Sequence, residues 1–343
     1  MTRVLAARLD SAGDVLLMGP ALRALAHDAD VTLLCGPRGR AAAALLPEPG
    51  ELLTFHAPWI DAEPEPVDRE AVEQLVADVA ARRFDEAVVF TSFHQSALPL
   101  ALLLRMAGVP VIAAMSEDYP GSLLDVRHRP PDDLHEVERA LSLVGSLGHR
   151  LPPGDDARLR VRVPPGAPVP FDGEPFVVVH PGASVPARAW SPSRCGEAVA
   201  ALVDAGRRVA VTGSRDEAVL TAHVAGCRPG VVDLGGRLQL GQLAGVLAAA
   251  DAVVVGNTGP AHLAAAVGTP VVSLFAATVP AVRWRPWMVA HVLLGDQDVP
   301  CSGCRARVCP VAGHPCLGAV TAADVVAAVD ALTAHRQQLE VAR

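Results

Sequence analysis

The run Val253-Val254-Val255-Gly256-Asn257-Thr258-Gly259-Pro260-Ala261-His262 joins an apolar stretch of strand length to a helix that opens with proline in its first turn. The first N–H groups of such a helix have no intrahelical partner and sit at its positive dipole end, so a diphosphate can rest there with Thr258 and His262 as further donors. The same residues also make an ordinary capped turn, with His262 packed beneath the next strand. Asp14, in Leu9-Asp10-Ser11-Ala12-Gly13-Asp14-Val15, follows the first apolar run. It is either a general base or the second half of a Ser11–Asp14 capping box. In His180-Pro181-Gly182-Ala183-Ser184, Gly182 and Ser184 suit a backbone that must approach a ligand. Arg188 is either the nearby cation that grips a phosphate through two hydrogen bonds or a solvated loop arginine. A carboxylate in Thr212-Gly213-Ser214-Arg215-Asp216-Glu217 either accepts from ribose hydroxyls or favours a helix N-terminus.

Positioning these groups requires alternating strands and helices, and the chain supplies that pattern twice. Apolar runs at Val4–Leu9, Val31–Cys35, Leu52–Phe55, Ala87–Phe90 and Val109–Ala113 alternate with helix-like segments such as Arg69–Arg82 and Leu134–Leu147. A proline-rich stretch, Leu151 to Pro175, reads as a linker with one short strand at Leu159–Val163. The pattern then restarts with Phe176–His180, a helix capped by Ser191 and Pro192, and strands at Val209–Thr212, Val231–Leu234, Ala252–Val255 and Val271–Phe275. A last helix opens at Thr321, with Asp324 at capping-box spacing. The prediction is α/β: two Rossmann-like, doubly wound parallel-sheet domains facing across a cleft, with ligands at the carboxyl ends of the strands. The expected boundaries are an N-terminal domain over 1–160, a linker over 161–175, a second domain over 176–320 and a terminal helix over 321–343. Pro20 would kink a helix begun near Asp14.

Composition narrows the chemistry. The chain has 343 residues, 51% of them hydrophobic, and a net charge of −8, which argues against nucleic acid as a partner. It contains no lysine, so Schiff-base catalysis and a lysine-bearing phosphate loop are excluded. After the first strand only Gly13 stands where a dinucleotide fold would show Gly-x-Gly-x-x-Gly, so a nicotinamide or flavin role is weakly supported. With no apolar run of membrane-spanning length and no signal-peptide pattern, a cytoplasmic protein is expected, with peripheral membrane contact allowed.

Taken together, the motifs resemble glycosyltransferase family 9, the ADP-heptose:lipopolysaccharide heptosyltransferase type, whose two-domain fold is called GT-B. The resemblance runs through Ser11-Ala12-Gly13-Asp14-Val15, Pro20-Ala21-Leu22-Arg23-Ala24-Leu25, His180-Pro181-Gly182-Ala183 and Thr258-Gly259-Pro260-Ala261-His262, then Leu274-Phe275, Pro280 and Pro286. It implies inverting transfer of a sugar, most naturally heptose, from a nucleotide diphosphate sugar to a hydroxyl of a glycan, glycolipid or small molecule, with no metal required for the step. Asp14 matches the family's proposed general base, Arg188 a contact to the donor phosphates, and Thr258, Gly259 and His262 the diphosphate-binding turn; Ser184 and Asn257 are counted with them as donor-binding residues. Glu217 matches the acidic contact to the donor ribose, with Asp216 the choice if the register slips by one. The family usually carries Asp where this chain has Asn257, its single asparagine. That exchange keeps two rivals in view: an inactive sugar-nucleotide-binding protein and a GT-B-type sugar-nucleotide epimerase.

Cys301, Cys304, Cys309 and Cys316 fall inside a segment, Gly295 to Val320, without a clear periodic pattern. In a cytosolic protein thiolates at such spacing suit zinc or another metal, or else remain reduced or reversibly oxidised thiols.

Overall fold

The computed structural model describes residues 1–61, 63–92 and 95–341, with side chains within that range as far as Ala334. Two compact units result, Met1–Arg160 and Val161–Arg343.

The first unit is built on a six-stranded, all-parallel sheet: β1 (Thr2–Arg8), β2 (Ala29–Cys35), β3 (Glu51–Thr54), β4 (Glu86–Val89), β5 (Val111–Met115) and β6 (Val126–His128). Its order is β3-β2-β1-β4-β5-β6. The central strands read as unbroken apolar runs because parallel strands covered on both faces have no solvent side. Val4, Leu5, Ala6 and Ala7 of β1 are all fully buried. Chain order reverses between β1 and β4, which makes their carboxyl ends the switch point where such sheets bind ligands. Pro20 has no N–H to offer Leu16. The chain accordingly forms two helices, Ala12–Leu17 and Gly19–Ala26, with Met18 between them and the proline in the second helix's first turn. Leu5, Leu34, Leu100, Leu104 and Ile112 form the core on one face of the sheet.

The second unit repeats the plan with β7 (Phe176–His180), β8 (Arg208–Val211), β9 (Val231–Asp233), β10 (Ala252–Gly256), β11 (Val271–Leu274) and β12 (His291–Leu294). The order β12-β11-β10-β7-β8-β9 is again parallel, and its switch point lies between β7 and β10. Helix Pro192–Asp204 buries Cys195, Ala198, Val199 and Leu202, and the terminal helix Ala322–Val341 packs beside it. Thr321 and Asp324 form their capping box, Asp324 N–H donating to Thr321 Oγ1 at 3.2 Å. Among the described residues no helix is long and apolar enough to cross a membrane.

Three local expectations are corrected. No strand forms at Leu159–Val163: among the described residues it pairs with neither sheet, and Arg160 is drawn to Asp155 and Asp156. Ser191 precedes its helix without capping it, its hydroxyl being shared with Ser193 at 2.8 Å. β6 and β12, both half-buried edge strands, add to the runs legible in the sequence.

Candidate active-site residues at the carboxyl ends of the strands

At the first switch point, β1 ends in a buried arginine. Arg8 Nε donates to Asp10 Oδ1 at 2.7 Å, and Nη2 donates to Asp14 Oδ1 and to Ser92 Oγ, each at 3.0 Å. Ser92, just beyond β4, returns a hydrogen bond to Asp10 Oδ2 at 2.9 Å. Burial opposes the Arg8 charge, but the carboxylates of Asp10, Asp14 and Glu136 outweigh it and hold the guanidinium more firmly protonated than usual. Burial pushes the Asp10 carboxyl above its ordinary range and Asp14's charge adds to this, with Arg8 and the Ser92 hydroxyl working against them.

Asp14 stands in the first helix, whose start the capping-box reading assigned to Ser11. That box is absent. Ser11 makes no side-chain cap bond to the helix; its hydroxyl donates to Asp14 Oδ2 at 2.7 Å. The carboxylate is therefore oriented from two sides, by a cation and by a hydroxyl, while its own side chain keeps 18% exposure.

At the second switch point, Asn257 and Thr258 lead from β10 into helix Gly259–Ala266. Asn257 is 4% exposed, and neither its amide nitrogen nor its amide oxygen has a hydrogen-bond partner among the described residues. Thr258 Oγ1 is likewise buried and unpartnered. Leaving such groups without a partner costs about 1–3 kcal/mol each, so several together make this turn a candidate binding site. His262 is 5% exposed on the first turns of the same helix. The loop carrying Arg188 runs over the end of β10: a Cβ on Gly256 would lie 3.1 Å from the Arg188 carbonyl oxygen. Ser184, on the approach to that loop, is exposed.

After β8, Glu217 Oε2 accepts from the Ser214 N–H at 2.7 Å and lies 3.9 Å from His180 Nε2. His180 Nδ1 pairs with Thr212 Oγ1 at 3.0 Å, and burial keeps this imidazole below its usual basicity despite the opposing Glu217 charge. Asp216 is exposed beside it. Glu217 thus both caps its helix and faces the end of β7.

Cys301, Cys304, Cys309 and Cys316 gather on one small cavity together with His314 and Thr278. Among the described residues, however, no three His, Cys, Asp or Glu side chains converge as a metal would require, so the zinc expectation is unsupported. Their environments differ: Cys304 is exposed, Cys309 Sγ turns to the Val311 carbonyl at 3.6 Å, and burial holds the Cys316 thiol neutral to higher pH. The segment is tied down by its main chain. Gly303 N donates to Ala277 O, Arg305 N to Thr278 O, and Ala187 N to Arg307 O, at 2.7, 3.0 and 2.9 Å. His314 Nε2 also meets Ala187 O at 3.0 Å. The cysteine segment therefore braces the residue next to Arg188.

Sequence reasoning passed over Arg8 and Asp10, although a charged residue closing a buried apolar strand is a signal in itself, since it must find partners. Ser92 carries no such signal; it lies 84 residues from Arg8 and meets it only because β4 joins β1.

Residues 73–314 match the family described as Glycosyltransferase family 9 (heptosyltransferase). Lipopolysaccharide heptosyltransferase 3 of Escherichia coli is 32% identical over 167 residues, covering 47% of each chain. The chain thus spans about half the length of the curated relatives it matches. Among solved structures, E. coli ADP-heptose lipopolysaccharide heptosyltransferase II aligns over 98% of this chain and 100% of its own, with a TM-score of 0.75 and 19% identity. E. coli heptosyltransferase WaaC with ADP-2-deoxy-2-fluoro heptose aligns over 96% and 99%, with a TM-score of 0.72 and 20% identity. The two parallel, doubly wound sheets are those of the GT-B heptosyltransferase fold, and the extent of the family match makes this chain a member of glycosyltransferase family 9.

Proposed function

We propose that the protein is an inverting glycosyltransferase that moves a heptose from a nucleotide diphosphate sugar, ADP-heptose in the first instance, to an acceptor hydroxyl. The observation that carries this reading is the pair of unpartnered amide atoms on buried Asn257, at the mouth of a helix N-terminus that carries Thr258 and His262, with the Arg188 main chain passing over the end of β10. Helix N–H groups and a guanidinium suit a diphosphate, and they stabilise it further as it departs with negative charge.

In the proposed step Asp14 accepts the proton of the acceptor hydroxyl as that oxygen bonds to the anomeric carbon. The bond from that carbon to the diphosphate oxygen breaks, its electron pair leaving with the nucleotide. Ser11 and Arg8 hold Asp14 with one carboxylate oxygen each, which fixes the direction of proton transfer. Ser184 and Gly259 belong to the backbone that approaches the diphosphate, and Glu217 receives the ribose hydroxyls. The domain division read from the sequence, with acceptor chemistry in 1–160 and donor binding in 176–320, belongs to this proposal, as does a cytoplasmic location.

Incubating ADP-heptose labelled in the sugar tests the reading. Release of ADP with the label moved to an acceptor or to water supports transfer, and an altered sugar still on its nucleotide identifies an epimerase. Tight donor binding with neither outcome identifies a binding protein, the alternative that Asn257, standing where the family usually carries Asp, keeps in view. Asp14→Asn should abolish turnover while leaving donor affinity within about twofold, because an interaction made only in the transition state affects kcat rather than binding.

A further inference from the structure

Among the described residues, the network at the end of β1 sets one guanidinium, Arg8, in hydrogen bonds with two carboxylates, Asp10 and Asp14. Asp10 takes Arg8 Nε at 2.7 Å, and the two N–H donors of Nη2 go to Asp14 and to Ser92, each at 3.0 Å. Arg8 and Asp10 are 3% and 6% exposed, so neither is screened by water as a surface pair would be. Resting on the reading of Asp14 as the base, we infer that Asp10 is a positioning residue that acts through Arg8. It draws the guanidinium charge away from Asp14 and so leaves that carboxylate a stronger base than an exclusive Arg8 partner would.

The geometry makes the direction of the effect specific. An arginine paired with Asp14 alone would hold its carboxylate ionised and reluctant to accept a proton. Asp10 opposes this twice, by holding Nε in its own hydrogen bond and by adding a like charge near Asp14. Ser92 fixes the arrangement, accepting from Arg8 and donating to Asp10. Among the described residues, the other charged groups near this cluster have their own engagements. Glu136, on helix Glu136–Ser146, adds to the field on Arg8 and lies 3.4 Å from Arg139. On the segments packed against the Asp14 helix, Arg38 turns to Asp61, Arg40 to Thr54 and Arg23 to Asp155.

The test is the titration of Asp14 itself in the full chain, followed by carbon NMR of protein labelled at the aspartate carboxyl and assigned by the signal lost in Asp14→Asn. Asp10→Asn keeps an oxygen for Arg8 Nε but removes the charge, and should lower the Asp14 midpoint by about one pH unit. Turnover of ADP-heptose should fall about tenfold or less with donor KM unchanged, and the acidic limb of its pH profile should move down with the midpoint. Arg8→Gln should move the midpoint the other way. Where that variant fails to fold, Ser92→Ala provides the second measurement, expected to lower the midpoint by less than Asp10→Asn does. An Asp14 midpoint unmoved by Asp10→Asn, or moved upward, overturns the inference. Undiminished turnover by Asp14→Asn would instead overturn the assignment of the base.

Discussion

The carboxylate of Glu217 occupies the space a side chain on residue 182 would need: a Cβ on Gly182 would stand 2.0 Å from Glu217 Oε1. The glycine after β7 is therefore fitted to an acid delivered from the end of β8. Gly182→Ala should push the Glu217 side chain aside rather than unfold the unit, since the contact is with the far end of a flexible chain. With Glu217 displaced from its place beside His180, ADP affinity should fall about tenfold. Calorimetric titration with ADP checks this, alongside a melting temperature lowered by only a few degrees.

Substitution of Asn257 tests folding and binding separately. Its two amide atoms make no hydrogen bond among the described residues, so Asn257→Leu, close in volume, should leave the unliganded protein as stable as the parent or slightly more so. Stabilisation by ADP-heptose should shrink, because a ligand that binds only the native state stabilises it by RT ln(1 + [L]/Kd) and a weaker Kd lowers that term. A thermal-shift series with and without the nucleotide sugar reads both quantities at once.

Arg188 and His262 should differ in degree. Arg188→Ala removes a permanent charge and should weaken ADP binding by about 1.5–3 kcal/mol, whereas His262→Gln should cost about 0.5–1.5 kcal/mol. Equal, negligible losses would move the diphosphate away from this turn.

A separate pH effect belongs to the first unit. His149 Nδ1 meets Asp28 at 2.9 Å and Nε2 meets Glu86 at 3.0 Å. Burial disfavours the imidazolium, but the two carboxylates outweigh it and raise the basicity of the ring. A group whose basicity rises on folding adds stability that is fully present below its unfolded value, near 6.5, and is lost as pH climbs through the folded one. His149→Gln should therefore flatten the decline in melting temperature above about pH 6.5, as scans at several pH values would show.

The thiols should react in an order set by their surroundings. Cys304 and Cys227 are exposed and should be alkylated first. Cys195 is buried, with its thiol pushed up to about 12, and should resist alkylation until the second unit unfolds. Timed alkylation with mass analysis of the peptides gives the order directly.

The legible parts of this molecule were those in which one segment carries the whole signal. A buried parallel strand is a short apolar run, and the Gly256-Asn257-Thr258-Gly259 turn contains strand end, orphaned polar groups and helix start in one stretch. Edge strands were harder: β6 is three residues, Val-Arg-His, each half-buried and without an apolar run to mark it. The capping-box spacing of Ser11 and Asp14 misled, because Arg8 reaches the carboxylate first and leaves the hydroxyl to complete it. Cysteine spacing suggested zinc, yet spacing along a chain says nothing of whether sulfurs converge in space.

The main-chain ties between the cysteine segment and the loops at Ala187 and Ala277 have a consequence for motion. Neither partner can lift away without breaking hydrogen bonds that belong to the other, so the two should open as one cooperative unit. In native-state hydrogen exchange the amides of Ala187, Gly303 and Arg305 should share a single opening free energy. Arg188 would then keep its station through a distant stretch of backbone rather than through the stiffness of its own loop.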